Sequence, residues 1–374
     1  VDLQPTDQQR LLKESVADYL ARHYDFATRR ACLASGGMHA AAWQQFAELG
    51  LFAAGLSEEV GGLGGGPVET MLISEELGKA LVLEPFLESA VLGAALLIGA
   101  GAMGQELLGR VATGSACLAP ALYEDGARYD LMPRCTRAVR HGNEWQIHGS
   151  KIMVTGAPFA THFLVSARTE ARLNAMQVAL FVVPADAQNL KRNDFRLIDG
   201  HAAADLEFDD VAVRSDAVVG LEGDAFERID RGVDIAIAAL CAEGLGVMRM
   251  MLAATLDYAR QRQQFGKPIA TFQVLQHRMV EMYTRIERAQ SLVLMATLAL
   301  GSPPAERRRS LSAAKAFISK SIRFVAQSAI QIHGGIGITD ELPVSHYFRR
   351  ATVIESQFGN AAYHLRRMCE VNEE

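Results

Sequence analysis

The sequence predicts a mainly α protein with a central β domain: an N-terminal helical domain at residues 1–115, a small antiparallel β-barrel at 116–222 and a C-terminal four-helix bundle at 223–374. Three observations carry that reading. Apolar residues recur with a helical period up to residue 115, short β-rich runs follow, and four long helical patterns with brief connectors close the chain. At 374 residues the chain can bury a sizeable core and divide into two or three domains.

In the first zone, Leu11, Leu12, Val16, Tyr19 and Leu20 mark one helix, and Thr6 is its expected N-cap. Further helices are expected at 40–50, 67–80 and roughly 86–112, with the loop GGLGGG at 61–66 between them. The second zone holds short runs at 138–139, 145–148, 152–155, 162–167, 178–183 and 205–208. Turn clusters such as Gly142-Asn143, Pro158 and residues 186–189 separate them, the pattern of a small barrel or sandwich. The third zone reads as helices over 225–263, 271–300, 304–332 and 341–369. Gly266-Lys267-Pro268, Ser302-Pro303-Pro304 and Gly334-Gly335-Ile336-Gly337 punctuate them.

Composition narrows the functional classes. A formal net charge of -6 offers no general attraction for nucleic acid or an anionic membrane. The five cysteines are scattered without a CxxC pair, so neither a zinc site nor a disulfide framework is expected, and a reducing cytoplasm fits. The opening VDLQPTDQQRLL lacks the basic and apolar regions of a signal peptide. No apolar stretch is expected to reach the ~18–20 residues that cross a bilayer, so no membrane insertion is expected.

Two glycine clusters are decoys. Gly99, Gly101 and Gly104 match GxGxxG, with Glu124 twenty residues further on. The match has meaning only after a strand and before a helix. Here an alanine-rich helical pattern precedes it, and a helix–helix connection is expected. GGLGGG lacks the Lys-Ser/Thr of a phosphate-binding loop and reads as a plain loop.

The segment YARQRQQFGKPI (258–269), continuing to Phe272 and Gln273, carries more chemistry. An arginine-rich helix end, a Gly-Lys-Pro stop and a new helix start gather guanidinium donors, backbone N–H groups and a flat ring at one corner. That set suits a pyrophosphate joined to an adenine. The same residues also describe a solvated basic helix end. QIHGGIG (331–337) ends a helix in consecutive glycines, which permit close backbone approach, as any helix C-cap does.

Taken with GSKIMVTG (149–156), these segments resemble the acyl-CoA dehydrogenase family over nearly the whole chain. QQRLLKESVADYLARH and ISEELGKA resemble two of its early helices, while YARQRQQFGKPI and QIHGGIGITDELPVSHYFRR are the most specific likenesses. The resemblance implies a helical domain, a β domain and a four-helix bundle, bound FAD, an acyl-CoA substrate and an electron-transfer flavoprotein as redox partner. It also implies a tetramer built from dimers, and no metal. Carried over by position, Arg262 and Phe265 match contacts to the FAD pyrophosphate region of a neighbouring subunit. Gln273 matches another FAD contact, Gln331, Gly334 and Gly335 match the adenosine-side loop, and Thr155 matches a threonine beside flavin N5.

The same comparison shows departures. The family's base, a carboxylate in a Glu-Gly-Thr segment, falls here on Phe358-Gly359-Asn360. The alternative base position falls on Ala236, and the arginine common after it is Ile237. Glu243, two helical turns beyond Ala236, is the candidate catalytic base or else a buried partner of an arginine; Asp234 lies on another face. Tyr123 and Tyr129 stand where the family has a threonine and a serine facing the flavin. The stretches RYDL, APFATHFLVSAR and HYFRRATVIESQFGNAAYHLRR are similar to a subgroup described as the small subunit of pimeloyl-CoA dehydrogenase. That likeness implies pairing with a larger, base-bearing relative of the same family in a mixed tetramer, so a homo- or a hetero-oligomer is expected. A non-catalytic subunit completing a partner's flavin site and a flavin oxidase or monooxygenase on the same fold are the competing readings.

Overall fold

The computed structural model describes residues 5–170, 176–220 and 225–370. The expected domain break at 222/223 lies outside the described residues, as do 1–4 and 371–374. Eleven α-helices are described: α1 (Asp7–His23), α2 (Phe26–Ala34), α3 (Ala40–Glu48), α4 (Pro67–Ala80), α5 (Ala94–Leu97), α6 (Gly101–Ala112), α7 (Ala225–Gln261), α8 (Gln273–Leu298), α9 (Pro304–His333), α10 (Pro343–Ser356) and α11 (Ala361–Glu370). The main sheet holds β1 (Leu118–Ala121), β2 (Arg137–His141), β3 (Glu144–Thr155), β4 (His162–Glu170), β5 (Met176–Pro184), β6 (Leu190–Arg196) and β7 (Ala202–Arg214). A separate hairpin joins β8 (Gln263–Gln264) to β9 (Lys267–Pro268). The chain forms two compact units: residues 1–31, 67–82 and 237–374 in the first, and 32–66 and 83–236 in the second.

The first unit is helical. Thr6 caps α1 as expected: its hydroxyl accepts from Gln9 N at 3.2 Å, and its own N–H donates to Gln9 Oε1 at 3.0 Å. Glycines let α4 and α7 cross closely: a Cβ on Gly246 would lie 2.1 Å from Glu75 O, and one on Gly78 would lie 2.3 Å from Glu243 O. In α9, the apolar positions Leu311, Ile318, Ile322, Val325 and Ala329 are all fully buried. The helix expected over 341–369 is two helices, α10 and α11, because Phe358 (φ 57°) and Gly359 (φ 117°) turn the chain between them.

In the second unit the helix expected over 86–112 is a π-helical turn (Leu87–Gly93), α5 and α6. Gly99 and Gly101, both at φ 74°, make the break, so the GxGxxG match is a helix–helix connection and no strand precedes it among the described residues. The main sheet runs β1-β4-β2-β3-β7-β6, with β5 on β4. It is mixed rather than wholly antiparallel, since β1 and β2 each meet β4 in parallel. The two runs at 145–148 and 152–155 are one strand, β3, with register shifts against β7 after Ile147 and Lys151. Alternate residues form a single core: Trp145 and Ile147, Phe163 and Val165, Phe181 and Val183, Leu206 and Phe208.

One apolar stretch is longer than expected from the sequence. Helix α7 is long and apolar enough to cross a membrane by composition alone, although most of that stretch is buried inside the protein.

Candidate active site

Helix α7 ends one residue before Arg262, and the hairpin follows at once. Its two loop residues, Phe265 (φ 52°) and Gly266 (φ 74°), both take the left-handed conformation of a type I′ turn. Phe265 is 91% exposed, and its ring sits edge-on to Phe272 with centroids 6.1 Å apart. Lys267 Nζ lies 4.8 Å from the Phe272 ring centre. Gln273 is the exposed first residue of α8. Arg262 is exposed and meets no carboxylate among the described residues.

The glycine loop comes to the same corner. Tyr258, one turn before Arg262, stacks on His333 (4.4 Å, 24°) and donates its hydroxyl to His333 O at 3.2 Å. His333 ends α9, Gln331 is exposed two residues earlier, and Gly334 follows at φ 67°, ψ -146°, a region reserved for glycine. A Cβ on Gly334 or Gly335 would meet nothing within 4 Å, so the backbone lies open. An exposed guanidinium, an exposed ring and bare glycine backbone fit a pyrophosphate-bearing cofactor. Tyr258 and His333 do the joining, a role that spacing alone does not show.

Thr155 belongs to the second unit. It is the half-buried last residue of β3, paired with Ala203 of β7. The bulge before it leaves Met153 at φ 56°, with its N–H donating to Asp205 Oδ1 at 3.0 Å. Gly156 (φ 78°) turns the chain after it, where a Cβ would lie 2.8 Å from Pro85 Cβ. Earlier on β3, the fully buried Lys151 donates to Glu124 Oε1 (2.9 Å), Ser166 Oγ (3.0 Å) and Leu122 O (3.4 Å). Glu124 also accepts from the N–H groups of Arg134 (2.7 Å), Cys135 (2.6 Å) and Thr136 (3.1 Å), which ties together the loop that carries Tyr123 and Tyr129. Burial raises the Glu124 carboxyl, but the Cys135 N–H, Lys151 and Thr136 outweigh it and bring it to about 2. Burial pulls Lys151 down to about 8. Glu124 thus serves as a loop anchor, and neither glycine match gives it a nucleotide role.

The positions that match a family base are apolar, and Glu243 is engaged. Phe358 is 8% exposed, Ala236 is fully buried and Ile237 is 1% exposed. Glu243 faces Arg350, which donates from Nε to Oε1 at 2.5 Å and from Nη2 to Oε2 at 2.8 Å. Both carboxylate oxygens are therefore held by one guanidinium. Asp234 is fully buried.

Fold and corner together describe a helical and β-sheet protein with an open basic, aromatic and glycine-lined corner. The chain belongs to the acyl-CoA dehydrogenase family, whose members are FAD-dependent oxidoreductases. The family's N-terminal domain pattern matches residues 6–115, its middle domain 119–211 and its C-terminal domain 224–371. Among similar proteins is the probable acyl-CoA dehydrogenase YngJ of Bacillus subtilis, 29% identical over 94% of both chains. Another is the caffeyl-CoA reductase-Etf complex subunit CarC of Acetobacterium woodii, 26% identical over 93% of both. A solved Tcur3481-Tcur3483 steroid ACAD variant aligns with 28% identity and TM-score 0.88 over 98% of each chain.

Proposed function

We propose that this chain works in α,β-desaturation of an acyl-CoA thioester as the flavin-binding member of an assembly whose related chain supplies the base. The observation that carries this is Phe358: the family's usual base position holds a buried phenylalanine. Bound at this chain, FAD would supply the acceptor for the hydride leaving the substrate β-carbon. Arg262 would neutralise pyrophosphate charge on the FAD of a neighbouring subunit, and Phe265 would contact that same region. Gln273 would be another FAD contact, Gln331, Gly334 and Gly335 would lie on the adenosine side, and Thr155 would offer its hydroxyl beside flavin N5 of the FAD bound at this chain. The α-proton needs a carboxylate. Both oxygens of Glu243 are committed to Arg350, which supports an ion-pair role over a catalytic one.

The three-domain division at 1–115, 116–222 and 223–374 and the likeness to the pimeloyl-CoA dehydrogenase small subunit belong to this proposal. An electron-transfer flavoprotein is the proposed redox partner, supported by the Etf complex named for the Acetobacterium relative. The hyphenated pair of the steroid enzyme supports a mixed assembly. Cytoplasmic location and a tetrameric state complete the proposal.

The test is the purified chain alone: flavin per subunit from the visible spectrum, and reduction of an artificial acceptor with straight-chain acyl-CoAs. Weak or no turnover is expected, rising on co-expression with a base-bearing relative. Robust turnover by the chain alone would overturn the proposal.

A further inference from the structure

We propose that Lys315 is a positioning residue: its buried ammonium holds the turn between α10 and α11 and so sets where the side chain at position 358 is presented. This rests on the reading above that 358 occupies the base position. Lys315 has no exposed surface, yet its four hydrogen bonds go to no carboxylate. Its Nζ donates to Gly359 O (2.8 Å), Ile354 O (2.9 Å), Glu355 O (3.2 Å) and Ser319 Oγ (3.2 Å). Ile354 and Glu355 lie in the last turn of α10, whose free carbonyls and negative dipole end attract a cation. Gly359 lies beyond the turn, so one ammonium ties the helix end to the segment that leaves it.

Two neighbours on α9 complete the arrangement. Ser312, Lys315 and Ser319 are spaced i, i+3 and i+7, which places them on one face. Ser319 Oγ donates to Glu355 O at 3.1 Å. From α11, His364 Nε2 lies 3.1 Å from Phe358 O, and Nδ1 lies 3.2 Å from Ser312 Oγ. A carbonyl only accepts, so Nε2 carries the proton and Nδ1 accepts from the serine. Burial, with Lys315 and Arg367 nearby, takes His364 down to about 3 and keeps it neutral. A Cβ on Gly359 would lie 2.4 Å from Tyr363 Cδ1 and 2.7 Å from His364 Nε2, so the turn closes tightly.

A buried lysine is costly unless its hydrogens are satisfied. Here its bonds are spent on backbone around a left-handed residue rather than on a counter-charge. That is the geometry of a device for aiming one side chain.

The experiment is hydrogen exchange by mass spectrometry on the purified chain, comparing wild type with Lys315→Met, which keeps length but has no donors. Exchange over 357–364 should rise at least about tenfold while α8 stays protected. Unchanged exchange there, or a uniform rise across the chain, would overturn the proposal. Should Lys315→Met fail to fold, Ser319→Ala, which removes one of the ammonium's acceptors, decides it by the same local readout. A second arm installs Phe358→Glu and measures acyl-CoA oxidation with and without Lys315→Met. Activity gained by Phe358→Glu should lose kcat, with KM unchanged, when Lys315 is replaced; a retained kcat would count against positioning. If Phe358→Glu gains nothing, the reading that 358 occupies the base position is what fails, and the exchange result still decides on Lys315.

Discussion

With side chains only 14% and 5% exposed, Glu243 and Arg350 illustrate what burial does to a charge. Each needs the other, because an unpaired buried charge costs several kcal/mol. Glu243→Gln should therefore destabilise the chain by about 3–5 kcal/mol, read as a lowered urea midpoint. In an assembly with a base-bearing relative, turnover per folded molecule should change little. Loss of turnover with unchanged stability would instead identify Glu243 as a base. Sequence reading left those two roles open, since helical spacing shows which face Glu243 occupies but not what stands opposite. That position 358 carries a phenylalanine and no carboxylate was legible, whereas its left-handed backbone was not.

Among elements, the proposed cofactor corner depends on two helix ends meeting. Arg262 is a charged donor with no competing carboxylate among the described residues, so Arg262→Ala removes charge-assisted bonds worth about 1.5–3 kcal/mol. Flavin affinity should fall roughly 10- to 100-fold, measured by titrating apoprotein with FAD, while the circular dichroism spectrum stays unchanged. Gly246→Ala tests the α4–α7 crossing, where the new methyl would meet Glu75 O at 2.1 Å. Backbone must move, and a loss of more than about 3 kcal/mol or of soluble yield is expected. Helices read well from their 3.6-residue period, but their ends did not. The split between α10 and α11 comes from a turn held by side chains on α9, 39 to 44 residues away in sequence. Likewise β3 looked like two runs because its bulges interrupt the alternation of buried residues.

For the whole chain, acid should be the sensitive direction. The hydrogen bonds on Glu124 outweigh its burial and hold it at about 2, below its ordinary 4.5. His346 is lowered from 6.5 to about 4 by burial and by Arg29 and Arg30, and His364 from 6.5 to about 3. In each case the unfolded chain binds more protons across the interval. Stability is therefore present above pH 6.5 and lost as pH falls toward 3. The thermal midpoint should drop steadily from pH 7 to pH 4, and His364→Gln should flatten part of that slope. A midpoint that is constant or rises on acidification would contradict the buried neutral state of both histidines.

The amino-acid sequence alone determined the order of helical, β and helical zones, the capping of α1 by Thr6 and the absence of a carboxylate at positions 358 and 236. These follow from local periodicity, local hydrogen bonding and residue identity. Only the tertiary structure decided that Tyr258 and His333 bring the arginine corner to the glycine loop, that Glu243 is answered by Arg350, that two strand pairs are parallel and that Lys315 holds the Phe358 turn. Each of those joins residues far apart in the chain, and long-range partners are chosen by packing and burial, which no local pattern records.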